Sequence, residues 1–277
     1  MKNQLVLLLT VLFFMQLGVA QKKDKIKGNR ILAEVSDDLP PFDAIELQDN
    51  IEVVLKKSFG EGYVIIADDN LIDVIRFEVI DSTLIISTDL QITSKRALEI
   101  AINFVELKAI TVKSGKLIVD DEISTDILYV NTFGDSDLVL KADTFKLNLA
   151  MENNSKADLK VDADSLNVFQ RDRSSAFIYA MSGAHKLELR DNADLAMEGS
   201  TEDLEIEAYG HSKLKAPKLE ASTVNLKVGE DAVARIQANQ RLNLDASGDT
   251  KIYLYGDPEI VISQFINTPQ LIKKELN

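Results

Sequence analysis

Residues 128–159 read LYVNTFGDSDLVLKADTFKLNLAMENNSKADL, and their apolar positions come in pairs two residues apart. Leu128 and Val130 form one pair and Leu138 and Leu140 the next, and the same set returns 19 residues later as Leu147, Leu149, Ala157 and Leu159. A spacing of two brings side chains back to one face of a strand, whereas a helical face needs three or four. Working outward, the pattern opens again at Leu166, His185, Leu204, Val224 and Leu242, at spacings of 18 to 20 residues. Counting +0, +2, +10 and +12 from each opener defines 28 positions, of which 27 are hydrophobic against 45% of the whole chain; His185 is the exception. Between the arms lie turns rich in Gly, Asn, Asp and Ser, residues that tolerate left-handed or side-chain-bonded geometry. The +8 column is small throughout: Ser136, Ser155, Ser174, Ala193, Ser212, Ala232 and Thr250.

A unit this short cannot bury its apolar residues alone, so successive coils must stack and share one core. Each coil offers core side chains worth ~1.5–3 kcal/mol apiece, which offset the ordering entropy only with a rung above and below. The expected fold is therefore all-β: a parallel β-helix-like solenoid with 18–20 residues per coil, an N-terminal β cap and ends that need covering.

Upstream of the repeats, Lys2, an apolar core over residues 5–17 and Gly18-Val19-Ala20 read as a secretory signal cleaved between Ala20 and Gln21. The apolar run falls short of the ~20 residues a membrane span needs. The chain has no Cys, which removes lipidation at the cleavage point, disulfides, zinc-thiolate sites and thiol catalysis. The expected organisation is a signal peptide at 1–20, a polar, flexible spacer at 21–41, and a single solenoid domain at 42–262. Within it, 42–105 would be cap and first coils and 106–255 the repeats, followed by a loose tail at 263–277. Residues 69–73 read as one helical turn or a tight bend, and Ile110, 18 residues before Leu128, sets the expected register of the first coil.

Several short motifs together resemble the putative auto-transporter adhesin, head GIN domain family of exported bacterial proteins. They are Phe42-Asp43-Ala44-Ile45, Asn50-Ile51-Glu52-Val53, Asp69-Asn70-Leu71-Ile72 with Ile75, Leu84-Ile85-Ile86, the repeats themselves, and Tyr255-Gly256-Asp257-Pro258. The resemblance implies a right-handed parallel β-helix-like domain at the envelope or surface and brings no catalytic residues. Two departures stand out: Asn50 replaces the family's usual Gly, and its Ser-Gly-rich turns survive partly, as Ser247-Gly248-Asp249.

Asp and Glu outnumber Lys and Arg by 45 to 31, a balance that argues against a nucleic-acid backbone or an anionic membrane surface as partner. Asp135 and Asp137 are the candidate calcium ligands, set against turn chemistry, because the glycine-rich nonapeptide of calcium β-rolls does not recur. No cofactor is indicated. Polysaccharide enzymes on β-helices need carboxylates beside sugar-stacking aromatics, and the outward positions offer Phe177 with Tyr179 and Tyr253 with Tyr255 as ligand contacts. The two pairs share columns four rungs apart, with Ala196, Lys215 and Arg235 between, so no continuous aromatic stripe forms, and there is no Trp. His185 reads as a hydrogen-bonded core or edge histidine. Asn148, Asn167, Asn225 and Asn243 share the +1 column and should stack as amides from rung to rung.

These features point to a non-enzymatic exported binding, scaffold or adhesin-like protein in the periplasm, at the cell surface or outside it. The expected partner is a protein or glycan of the cell surface, and the mature chain is expected to have no transmembrane segment. A polysaccharide lyase or hydrolase is one alternative. A self-assembling envelope protein, associating through an exposed terminal rung, is the other.

Overall fold

The computed structural model describes residues 23–275, of which the leader and its Ala20–Gln21 junction are not part. It is an all-β solenoid of about nine turns, 72% strand and 2% helix. Leu128, Leu147, Leu166, His185, Leu204, Val224 and Leu242 are successive partners across parallel strand pairs. All 28 positions read from the repeat are buried, none more than 6% exposed. The small +8 column is buried as well, at 0–1% exposure.

Each coil is one bent strand rather than two separate arms: Asp137–Met151, Lys156–Gln170, Ser175–Leu189 and Asp194–Ala208 are each 15 residues long. The bend is a change of phase. Thr144 and Leu147 are both buried with two residues between them, so alternation slips by one and Phe145 is turned outward. A hydroxyl holds the corner: Thr144 Oγ1 lies 3.0 Å from the Asp126 carbonyl of the rung below and 3.2 Å from the carbonyl of Lys146. Thr201 makes the equivalent pair, with Gly183 and Asp203. The bend adds a core column that the two-arm pattern omits, Ala142, Val161 and Ala180, all at or below 2% exposure. Gly199 continues it at φ +120°, where a Cβ would stand 1.9 Å from the Ala180 carbonyl oxygen.

At the other side of the coil the second residue of each turn is left-handed: Gly134, Asn153, Asp172, Asp191, Gly210, Glu230 and Gly248, with φ between 56° and 79°. Gly, Asn and Asp tolerate that conformation. The turns are also cross-linked. Asn153 Oδ1 accepts from the Gly134 N–H at 3.1 Å, Asp172 Oδ2 from the Asn153 N–H at 2.8 Å, and Asp191 Oδ2 from the Asp172 N–H at 3.3 Å. Glu230 is the odd member, and its longer side chain reaches the Gly210 N–H at 2.6 Å.

Coil length varies at bulges. Ala196 pairs with Lys215 but Glu198 with Lys218, so the extra residue of the 20-residue coil sits beside Pro217, whose missing N–H a bulge accommodates.

The N-terminal rungs do not stack in chain order. Strands Ala44–Leu47 and Glu52–Lys57 are sandwiched: Thr83–Thr88 and Leu98–Phe104 pair on one side, Ala109–Val112 and Lys116–Thr132 on the other. The chain lays the second rung first, builds the end rung, then passes back over both. Beyond the end rung, antiparallel strands and the helix Asp69–Ile72, with Leu71 fully buried, close the core.

Three expectations are corrected here. Ile110 pairs with Val130, not Leu128, two places off the 18-residue spacing, because Lys116–Thr132 is bulged between Ile118 and Glu122. The expected spacer contains strands Lys25–Lys27 and Leu32–Asp38, the latter pairing antiparallel with Gly62–Asp68, and the expected tail contains Gln270–Lys273, which pairs with Lys251–Tyr255. Polar composition misled because both segments lie on sheet edges, where one side faces water. His185 is only 2% exposed, but neither ring nitrogen has a hydrogen-bond partner, and burial pushes its pKa down to about 4. It occupies a leucine slot as a neutral ring.

Candidate functional site

The outer face of the arm that carries Leu128 and Val130 bears two clefts that share Tyr129. One, of about 640 Å³, runs along the corner between Ile127, Tyr129 and Phe145, with Glu106, Asp126 and Asp143 beside them. The other, of about 320 Å³, continues past Tyr129 over Asn131, Asn148, Asn167 and Phe169. Strand alternation sets these directions. Leu128 and Val130 point into the core at 0% exposure, so Tyr129 between them stands out at 52%, and Phe145 at the bend at 63%.

The floor of the groove is an amide ladder, as the shared +1 column predicts. Asn167 Nδ2 donates to Asn148 Oδ1 at 3.0 Å, and further along Asn243 Nδ2 donates to Asn225 Oδ1 at 2.7 Å. Between the two pairs the column carries a Lys186–Glu205 ion pair of 3.2 Å. In the next outward column Arg190 bridges Glu188 and Glu207 at 2.8 and 3.3 Å and lies 4.5 Å from the centre of the Tyr209 ring. Charges on this face are therefore largely matched in register. The groove around Tyr129 adds aromatic rings and carboxamides to such pairs: Lys186 and Glu188 line its smaller cleft, and Lys108, paired with Asp43 and Glu106, lines its larger one. Aromatic faces take the apolar side of a sugar ring, and amides and carboxylates bond its hydroxyls.

The aromatic pairs read from the sequence lie on the other arm. Phe177 and Tyr179, 41% and 38% exposed, form an outward row with Met181 at 47%. The column from Phe177 reaches Tyr253 through Ala196, Lys215 and Arg235, so the fold does not bring the pairs together. The Tyr253 ring has the Arg235 guanidinium 4.9 Å from its centre and the Lys274 ammonium 5.8 Å away, and Tyr255 is half-buried. Asp135 Oδ1 accepts from Asn154 Nδ2 at 2.9 Å, and Asp137 stands in register between Lys116 and Lys156. Among the described residues no three His, Cys, Asp or Glu side chains gather as a metal cluster. No helix among them is long and apolar enough to cross a membrane.

Sequence reading missed Tyr129 and Phe145. Tyr129 lies between the core pair Leu128 and Val130 and could be read as outward, but Phe145 could not, because nothing in the repeat announces the bend.

The model of the family described as "Putative auto-transporter adhesin, head GIN domain" matches residues 41–182 and again 174–258. The chain belongs to this family. Among solved structures, the head GIN chain is similar to a putative adhesin from Parabacteroides distasonis ATCC 8503, with TM-score 0.70 and 15% identity, covering 91% of this chain and 100% of that one. A putative adhesin from Parabacteroides merdae ATCC 43184 gives TM-score 0.68 and 17% identity over 92% and 100% of the two chains. A third, described as a putative lipid binding protein from P. distasonis ATCC 8503, gives 0.64 and 19% over 91% and 100%. At these identities the likeness is one of fold. No curated protein matches the chain.

Proposed function

We propose that this head GIN protein is a non-enzymatic, exported, adhesin-like binding protein of the bacterial envelope or surface. Its partner is held in the groove around Tyr129, and a glycan is the occupant the groove suits best. The observation that carries the reading is the sharing of Tyr129 by two clefts, the smaller of which is floored by the Asn148–Asn167 bond. A saccharide chain laid there meets rings on Tyr129, Phe145 and Phe169 and fixed amide donors and acceptors one rung apart. The rung spacing of ~4.8 Å makes the recognition surface periodic and rigid, so little ordering entropy is lost on binding. Export rests on the leader-like residues 1–20. The family's description and those of the two solved adhesins agree with a surface role.

The carboxylates of Glu106, Asp126 and Asp143 beside the groove keep a polysaccharide-cleaving enzyme as the second reading. Both are tested by incubating the chain with an array of surface glycans and matrix proteins while reducing ends are assayed in parallel. Saturable binding of a glycan without product supports the first reading. Released product replaces it with the second, and binding to protein ligands alone would overturn the choice of glycan.

A further inference from the structure

A second surface, on the opposite arm and independent of the Tyr129 groove, has different chemistry. Outward positions of a solenoid strand are normally polar, yet one outward column is aliphatic across five neighbouring strands. Val64 pairs with Ala101, Ala101 with Val54, Val54 with Ile118, and Ile118 with Val139. The column then ends at Asp158. Their neighbours along the strands, such as Val53, Leu55 and Ile65, are the ones that fill the core at 0–2% exposure. The row is thus a second apolar surface, on the outside.

It is also recessed. Val54, Val64, Ile66 and Ala101 line a cleft of about 410 Å³, and each is only half-exposed. Charges in the cleft wall are unequal: Glu52, Glu99 and Asp120 against Lys56. None of these four forms an ion pair with another described residue. Lys116, the register neighbour of Glu52, does not line the cleft. An unpaired acidic wall beside an apolar floor is complementary to a ligand that is apolar along its length and cationic where it meets the wall.

The row runs across the strands. Four inter-strand steps of ~4.8 Å give about 19 Å, one residue wide. That is the footprint of a single extended hydrocarbon chain. A helix, at ~10–12 Å across, is too broad for a stripe one side chain wide. We infer that the outer face of the N-terminal sheet binds a single-chain lipid bearing an amine, its ammonium against Glu52 and Glu99 and its chain running from Val54 over Ile118 to Val139.

The test is calorimetric titration of the chain with hexadecylamine, palmitate and hexadecyl maltoside, each below its micelle concentration. The amine should bind one per chain, about tenfold or more tighter than the maltoside, with palmitate weakest. The double substitution Glu52→Gln/Glu99→Gln should bring the amine down to the maltoside's affinity and leave the maltoside unchanged. Val54→Asp should weaken all three by more than about tenfold with an unchanged far-ultraviolet spectrum. Ala101→Gln, entering the same cleft from the next strand, replaces it if Val54→Asp disturbs folding. Tyr129→Ala should change nothing in this titration, which keeps the outcome separate from that of the glycan groove. Equal affinity for the three probes, several molecules bound per chain, or binding indifferent to both cleft substitutions would overturn the assignment.

Discussion

The carboxylate of Asp172 accepts a hydrogen bond of 2.8 Å from the backbone N–H of Asn153, the residue below it in the turn column. Both residues are left-handed, and each caps a neighbour in the rung beneath. Asp172→Ala removes the acceptor and places a Cβ-bearing residue without a compensating side chain at φ 60°. The expected loss is about 2 kcal/mol, the sum of roughly 1 for the bond and 1 or more for the conformation. Asp172→Gly should lose only the first part. Urea denaturation of the two variants checks the difference.

Glu230→Gly tests the same logic in reverse. Glycine relieves φ 63° but gives up the contact with the Gly210 N–H, so the two effects oppose and the midpoint should move little. Glu230→Ala should be the more destabilising of the pair.

The same ladder bears on calcium. Asp135 already accepts from Asn154, and Asp137 lies between lysines in register. Added calcium or a chelator should leave the thermal midpoint unchanged, since only a ligand that prefers the folded state raises it. A saturable upward shift lost in Asp135→Asn would move these residues into a metal site.

His185 makes stability pH-dependent. Its folded pKa of about 4 lies below the unfolded value near 6.5, so the unfolded chain takes up a proton first as pH falls. The folded state is at full advantage above about pH 6.5 and loses roughly 3 kcal/mol, as an upper bound, as the pH drops through that window to about 4. His185→Leu restores the hydrophobic column between Leu166 and Leu204 and should raise stability at pH 7 and flatten the pH 4–6.5 profile. Chemical denaturation at pH 7 and pH 5 compares the two proteins, and an unchanged profile in the leucine variant would locate the proton uptake elsewhere.

Gly199→Ala should be strongly destabilising for a single added methyl. Its φ of +120° is closed to L-residues, and the new Cβ would meet the Ala180 carbonyl at 1.9 Å. A loss of about 3 kcal/mol or failure to fold is expected. Thermal melting beside Gly183→Ala provides the comparison, since there the nearest contact is 3.3 Å.

The repeat was legible because its core columns are local: a residue and its equivalent one coil on carry the same burial, and Leu128, Leu147 and Leu166 announce each other. The corner was not, since Ala142, Val161 and Gly199 are too small and too varied to read as a hydrophobic column. Nor was the N-terminal stacking, where Ala44–Leu47 is pinned between strands that follow it in sequence. No periodicity encodes that inversion. The amide ladder was visible as a column of Asn, but the groove it floors needed Tyr129 and Phe145 placed around a bend. The aliphatic row was hidden for the same reason: Val64, Ala101, Val54, Ile118 and Val139 are scattered in the chain and meet only through mixed parallel and antiparallel pairing.

The measurement that bears most directly on the central claim is titration of the strongest glycan from the array into the unmodified chain, Tyr129→Ala and Phe177→Ala, with reducing ends followed in each cell. Binding should fall more than about tenfold in Tyr129→Ala, stay unchanged in Phe177→Ala, and proceed without product. Binding that survives Tyr129→Ala but is lost in Phe177→Ala would place the site on the other arm, and steady release of product would contradict a purely binding role.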